Sequence, residues 1–298
     1  MSVSADQIER WGSAPSESTE VKCQKTVERI KRALATRFST NVEIYLQGSY
    51  KNRTNVKLDS DVDIVVEHTG YYFHDISSLS PEDKQRFEAA RTPADYAFSQ
   101  FKSDVLATLQ TEFGAGWVIR KNKCIFVTKD NNRVNADVVP CYTHKRFSTP
   151  TSVEAQGIAF VADDGQTINS FPKQHYENGA SKNLRTNGRY KSAVRALKLV
   201  RNSMDDSGNQ VAKDMPSFLL ECLVWNVSDD RFSISENLYT TVRRVIYEVW
   251  DDMGHAEKAT LYAEVSDLKW LLRGGDAARN IQLSRDFMLS AWNFIGYT

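Results

Sequence analysis

The chain has no apolar run long enough to cross a bilayer. Its best stretch, Ser217 to Val227, is interrupted by Glu221 and Asn226. The opening residues, MSVSADQIERW, lack the basic-then-apolar pattern of a secretory leader, so none is expected. Cysteine is scarce: Cys23, Cys124, Cys141 and Cys222 form no C-x-x-C pair and are too few for a disulfide framework. They read as buried thiols in a reducing cytosol, and a cytoplasmic protein without membrane contact is expected. Net charge is also absent, with 38 Lys plus Arg against 38 Asp plus Glu. That balance argues against a long nucleic acid as partner, because such binding runs on phosphate neutralisation. Internal repeats and low-complexity segments are missing too. What is present, 41% hydrophobic and 11% aromatic residues in 298, excludes a disordered chain. The length accommodates about two domains or one large one, with a core that needs no staples.

Apolar spacing organises the chain. The first 40 residues read as helical, with a break at Gly12 to Ser18, after which Val21, Val27, Ile30, Leu34 and Phe38 keep a helical interval. VEIYLQGS alternates like a strand and ends in a Gly-Ser turn. A polar loop, Lys51 to Ser60, precedes VDIVVEH, a second strand. Residues 69–93 are turn-rich, with a helix start at Ser80-Pro81, and 94–113 read as a helix. WVIRK, CIFVTK and RVNADVVP then suggest a β-meander, and IAFVA and QTINSF flank a hairpin turn at Asp163-Asp164-Gly165. The remainder reads as helices near 179–205, 215–228, 234–252, 256–272 and 276–296, with Gly274-Gly275 ending one and Asp276 capping the next.

Chemistry concentrates between Gln47-Gly48-Ser49 and Asp61-Val62-Asp63-Ile64. Side chains two apart on a strand share a face, so Asp61 and Asp63 would stand side by side while Val62, Ile64 and Val66 face the core. Two adjacent carboxylates are costly unless a cation neutralises them, and Mg²⁺ prefers carboxylate oxygen. A lone D-x-D also describes a solvated strand end. A calcium loop starting at Asp59 fails, because its positions 6 and 12 would be Ile64 and Gly70. Gly48-Ser49 adds information: glycine lets backbone N–H groups approach a phosphate, and the serine hydroxyl can bond its oxygens. Eleven residues separate Ser49 from Asp61, enough to return to the sheet. This spacing resembles that of polymerase-β-like nucleotidyltransferases. Such an enzyme needs a third carboxylate on a nearby strand, and Asp137 in RVNADVVP is the candidate.

From Asn178 to Met204 there are seven cations and no acid: Lys182, Arg185, Arg189, Lys191, Arg195, Lys198 and Arg201. Lys191, Arg195 and Lys198 share one helical face, and Val194, Leu197, Val200 and Met204 form an apolar stripe. Like charges this dense repel, so an anionic triphosphate or the acidic site itself is expected to offset them.

LQGSYKNRTNV, LDSDVDIVVE, VNADVVPCY, FPKQHYENGASKNLRTNGRYKSAVRALKLVR and MPSFLLECLVWN together resemble the cGAS/DncV-like nucleotidyltransferases, mostly bacterial enzymes, over nearly the whole chain. The resemblance implies an α+β, bilobal polymerase-β-like fold with its active site in the cleft. A mixed β-sheet lobe with flanking helices, over 1–175 with the N-terminal helix, would carry catalysis. A helical nucleotide-binding lobe would cover 176–298. It implies template-independent synthesis of cyclic or linear oligonucleotide second messengers from NTPs, with pyrophosphate release, in antiphage signalling. Carried over by motif, Asp61, Asp63 and Asp137 would hold two Mg²⁺ ions, with Mn²⁺ able to substitute. Gln47, Gly48 and Ser49 would contact donor phosphates, and Lys198 and Ser217 would bind the triphosphate tail. The polar stretch Asn202 to Asp214 reads as a loop insertion between these last two. ATP, GTP and pyrimidine NTPs all stay open as substrates, as does a protein activator. An RNA-tailing nucleotidyltransferase of the poly(A) or CCA-adding kind is the alternative, but it should show a wide basic surface. A descendant that has become a binding scaffold would not need all three acids.

Overall fold

The computed structural model describes residues 3–14, 17–38, 40–56 and 61–297. The candidate calcium ligand Asp59, much of the polar loop before Asp61, and part of the break after Gly12 lie outside them. In chain order come α1 (Ala5–Trp11), α2 (Glu17–Ala35), β1 (Val42–Gln47), α3 (Gly48–Asn52), β2 (Val62–Asp75), α4 (Pro81–Ala90) and α5 (Phe98–Phe113). Then follow β3 (Val118–Arg120), β4 (Ile125–Val127), β5 (Ala136–Thr149), β6 (Ser152–Val161) and β7 (Thr167–Ser170). The rest is helical: α6 (Pro172–Arg185), α7 (Arg189–Asp206), α8 (Gln210–Asp214), α9 (Ser217–Asn226), α10 (Leu238–Asp252), α11 (Ala256–Ala259) and α12 (Ala277–Ile295). The chain is α+β, as expected, and none of the described helices is long and apolar enough to cross a membrane.

Two compact units divide it, Ser16–Lys51 with Leu58–Pro172, and Met1–Pro15 with Asn52–Lys57 and Lys173–Thr298. The first unit is a mixed sheet in the order β1-β2-β5-β4-β3, with β6 beside the second half of β5 and β7 beside β6. Only β2 and β5 run parallel among these pairs. Alternation sorts the two faces. Val62, Ile64, Val66 and Val138 pack under α2 and α5, against Cys23, Val27, Ile30, Leu34, Phe101, Val105 and Leu109. Val65, Val139 and Cys141 pack on the other side, with Ile158 and Phe160. Each such fully buried aliphatic residue contributes about 1.5–3 kcal/mol. On α2 the buried position is Cys23 and not Val21, which is 50% exposed, so the stripe begins two residues later than its apolar letters suggest. β2 does not stop at His68. A register shift between His68 and Tyr72 absorbs the Thr69-Gly70 turn signal, and pairing with β5 continues to Asp75.

The second unit is built on α7, whose Val194, Leu197, Val200 and Met204 enter one large core with Leu219, Leu220 and Leu223 of α9, Val242, Val245 and Val249 of α10, and Phe287 and Met288 of α12. The N-terminal helix belongs here, not with the sheet unit as the 1–175 boundary implies. Ile8 is buried in this core, the Val3 amide donates to the Ile295 carbonyl at 3.1 Å, and Arg195 reaches the Gly12 carbonyl. Three helical expectations change. The 179–205 segment breaks at Asn187 and Gly188, both at positive φ, giving α6 and α7. The supposed loop insertion is instead the end of α7 and all of α8, which Asn209 caps through the Ala212 amide. The 256–272 helix is only α11. Leu261 is 64% exposed although Leu272 is buried, so the period does not describe one face. The chain turns at Asp267, at φ 58°, and forms a bridge between Ala263 and Trp270. Gly274-Gly275 therefore ends no helix, and Asp276 precedes α12 without a side-chain cap bond.

Candidate active site

In the sheet unit, β1, β2 and β5 place three candidate residues in one row. Gln47 on β1 stands opposite Asp63 on β2, and Asp63 stands beside Asp137 on β5. The row sits where β2 and β5 begin, and the intervening Val62, Ile64, Ala136 and Val138 are fully buried beneath it. Hydrophobic anchoring of the even positions thus fixes where the acids point. Asp61 lies one residue before β2 and is exposed. Gly48 begins α3 at φ 69°, and a Cβ there would overlap the Asp63 carboxylate. The glycine is needed on both counts: the left-handed backbone and the close approach of Asp63. Ser49 follows in the same short helix.

The carboxylates are arranged for a cation. Burial, then Asp137, then Asp61 push the Asp63 carboxyl up from its ordinary 3.8 to about 7. Among the described residues no cation pairs with it. Asp137, whose side chain is 28% exposed, accepts a hydrogen bond from Cys124 Sγ at 3.1 Å and lies 3.6 Å from Lys121 Nζ. That ammonium also stands over the Phe126 ring at 3.5 Å. Burial and Asp137 together push the Cys124 thiol up to about 12. These oxygens are hard donors in a partly dry, electronegative row, which fits a divalent cation in donor type and charge. They do not form a closed cage, since among the described residues no three His, Cys, Asp or Glu side chains are gathered to hold an ion.

The remaining candidates lie in the helical unit. Lys198 does not present its ammonium to solvent. It is 3% exposed and bonds Glu221 Oε2 at 2.6 Å. The cation beside Ser217 is Arg201, one turn further along α7, with Nη1 donating to Ser217 Oγ at 2.9 Å and to the Met215 carbonyl at 3.1 Å. Phe218, next to Ser217, is 49% exposed and 5.9 Å from the His175 ring. Arg201 was among the seven cations but undistinguished. A partly exposed cation at the i+3 position from Lys198 becomes visible only when Glu221 is known to take Lys198. Phe218 could have been noticed as an aromatic residue directly after Ser217.

Four of the seven cations, Lys182, Arg185, Arg189 and Lys198, pair with acids of the helical unit itself. Lys182 and Arg185 pair with Asp229 at 2.7 and 2.6 Å, Arg189 lies 3.7 Å from Glu9, and Arg195 donates to backbone carbonyls. The acids that offset the run come from α1, α9 and the segment after α9, which sequence spacing does not reveal.

Parallel β2 and β5 carry acids in register with a Gly-Ser turn beside them, the arrangement expected of a nucleotidyltransferase. A family model described as nucleotidyltransferase domain matches residues 27–158, and one described as cGAS/DncV-like nucleotidyltransferase C-terminal helical domain matches 177–296. The chain belongs to the cGAS/DncV-like nucleotidyltransferases. It is 42% identical over 297 residues to a cyclic dipurine nucleotide synthase of Elizabethkingia meningoseptica, covering 100% of both chains. It is 33% identical to a cyclic dipyrimidine nucleotide synthase, CdnE, of Cecembia lonarensis, over 98% of each. The solved structure of Elizabethkingia meningoseptica CdnE with GTP and Apcpp superposes with a TM-score of 0.82 at 40% identity, over 99% of each chain. Enzymes of this fold generally depend on a divalent metal, and NTPs are their substrates.

Proposed function

We propose that the protein joins two NTPs into a cyclic dinucleotide second messenger, with purine NTPs as its first substrates to test. The observation that carries this is the Asp63–Asp137 pair in register beneath Gly48, in a chain similar over its full length to a cyclic dipurine nucleotide synthase. Antiphage signalling is the setting that family membership suggests. Two Mg²⁺ ions held by Asp61, Asp63 and Asp137 would supply Lewis-acid stabilisation of the attacking and leaving oxygens. Gln47, Gly48 and Ser49 bind the donor phosphates. Asp137, whose Oδ1 carries the contacts to Cys124 and Lys121, favours deprotonation of the acceptor ribose hydroxyl. That hydroxyl attacks the α-phosphorus in line, and pyrophosphate leaves. Arg201 and Ser217 bind the triphosphate tail, and Phe218 offers a face on which a base stacks. Lys198 keeps its charge on Glu221. A second transfer on the turned linear product closes the ring.

The test is to incubate the purified protein with all four NTPs and Mg²⁺ or Mn²⁺, with and without RNA, then analyse phosphatase-treated products by mass spectrometry. A phosphatase-resistant small product containing two nucleotides is expected. Extension of RNA alone would overturn the reading in favour of a tailing enzyme. Addition of a candidate protein activator reads the regulatory question in the same assay.

A further inference from the structure

The helical unit buries a group of charges for which substrate binding gives no account. Glu221 on α9 accepts hydrogen bonds from Lys198 Nζ at 2.6 Å and Thr54 Oγ1 at 2.8 Å, and its other oxygen lies 3.2 Å from His175 Nε2. Lys198 also donates to Thr54 Oγ1 at 3.3 Å. Arg195, one turn earlier on α7, donates to the Arg53 carbonyl at 2.7 Å and twice to the Gly12 carbonyl, at 2.9 and 2.6 Å. Glu221, Lys198, Arg195 and Thr54 are all buried. Three ionised side chains from two helices thus converge on Arg53 and Thr54.

The place of those two residues in the chain gives the network its meaning. Asn52–Lys57 belongs to the helical unit, although the residues on both sides of it belong to the sheet unit. It starts at the last residue of α3, the helix of Gly48 and Ser49, and ends four residues before Asp61. Residues 54–56 have no helix or strand, yet Asn52, Thr54 and Asn55 are buried. Irregular backbone normally lies on the surface, where water satisfies it. Burying a lysine, an arginine and a glutamate instead carries a large desolvation penalty, and well-packed apolar residues would hold the helices together at least as well. What the polar network adds is definition: Thr54 has one geometry in which it both donates to Glu221 and accepts from Lys198.

We propose that Glu221, Lys198, Arg195 and Thr54 are positioning residues for nucleotidyl transfer. They hold residues 52–56 in one conformation, fixing the backbone where it leaves the Gly48–Ser49 turn. They act without touching the NTP. The step they serve is the phosphate-binding and metal-binding alignment, so removal of the network lowers turnover and leaves substrate affinity in place. The kinetic part of this inference rests on the function proposed above. Its structural part does not.

Two variants test it: Thr54→Val, and the paired apolar exchange Lys198→Met with Glu221→Leu, which leaves no orphaned charge. Hydrogen exchange of the 52–56 amides, melting temperature and NTP kinetics are measured on each. Exchange is expected to speed up at least about tenfold over 52–56 while the α7 core amides stay protected. The paired variant should melt within about 3 °C of the parent. Its kcat should fall at least about tenfold with KM for NTP within about twofold. Parent-like kcat at parent-like stability, or unchanged exchange, would overturn the proposal. A raised KM at unchanged kcat would also do so and would make Lys198 a substrate contact. If the paired variant does not fold, Thr54→Val carries the same readouts. If the parent makes no product from any NTP, the proposed function fails while the exchange measurement still decides whether the network holds the segment.

Discussion

Asp63→Asn should stabilise the metal-free protein at neutral and alkaline pH while abolishing turnover. The Asp63 carboxyl is raised from 3.8 to about 7, by burial first and by Asp137 and Asp61 next. A raised carboxyl pKa means that the folded state holds the proton more tightly than the unfolded state does. Its stabilising effect is therefore complete below about pH 4 and is lost as pH rises toward 7, above which the folded protein carries the whole penalty. At about 1.4 kcal/mol per tenfold change in proton affinity, the upper bound is about 4 kcal/mol. Water at the strand end and the sharing of charge with Asp61 and Asp137 reduce this to about 2 kcal/mol. For a protein of this size that is a melting increase of about 4–8 °C. The assay is a thermal melt of parent and variant in EDTA at pH 8 and pH 5. The expected gap at pH 8 shrinks to less than half at pH 5. Added Mg²⁺ should raise the parent's melting temperature and leave the variant nearly unmoved. A variant that melts at or below the parent at pH 8, or a gap that does not respond to pH, would refute the electrostatic account of the acid row.

Four other outcomes follow from the same structure. Gly48→Ala places a methyl against the Asp63 carboxylate at a backbone angle that alanine resists, so activity should be lost with a stability decrease of about 1–3 kcal/mol, read by denaturant titration. Arg201→Ala should raise KM for NTP about tenfold with a smaller change in kcat, measured by steady-state kinetics; an effect on kcat alone would remove it from ground-state binding. Lys198→Ala, which leaves Glu221 buried without its main partner, should cost about 3–5 kcal/mol in a urea melt. The four free cysteines are all buried, so a thiol reagent should label none quickly until denaturant is added.

The row of Gln47, Asp63 and Asp137 was legible because its signals are local. Alternation in VDIVVEH sets which side chains share a face, and the glycine before Ser49 marks a turn whose conformation few residues adopt. Asp137 was readable as a carboxylate in an otherwise apolar strand. The helical unit was less legible because its determinants are distant in sequence. Glu221, 23 residues after Lys198, decides that Lys198 is a buried partner. Asp229 does the same for Lys182 and Arg185, from 47 and 44 residues away. The apolar spacing around Leu261 and Leu272 looked helical, but periodicity cannot report that an aspartate at position 267 turns the chain back on itself. The placement of α1 with the C-terminal helices depends on contacts such as Val3 with Ile295, which no local pattern announces.

Asp63, half-buried, and Glu221, buried, are tuned in opposite directions. Asp63 is partly and Glu221 almost wholly withdrawn from water, and burial alone would raise both pKa values. At Asp63 the neighbours are Asp137 and Asp61, which raise the carboxyl further. At Glu221 burial raises it too, but Lys198 and His175 overcome that and hold the carboxyl well below the ordinary carboxylate range. A protein that needs a buried charge for its own architecture supplies the counter-charge itself, as Lys198 does. A half-buried acid facing two more acids is a fitting place for a cation from solution. The zero net charge of the chain conceals this division. Lys182, Arg185, Arg189 and Lys198 pair with acids inside the helical unit, whereas among the described residues Asp63 has no cationic partner where β2 and β5 begin. Divalent cations should therefore act on the sheet unit's acid row, and the response of Asp63→Asn to Mg²⁺ isolates that effect from any other anion or cation site on the molecule.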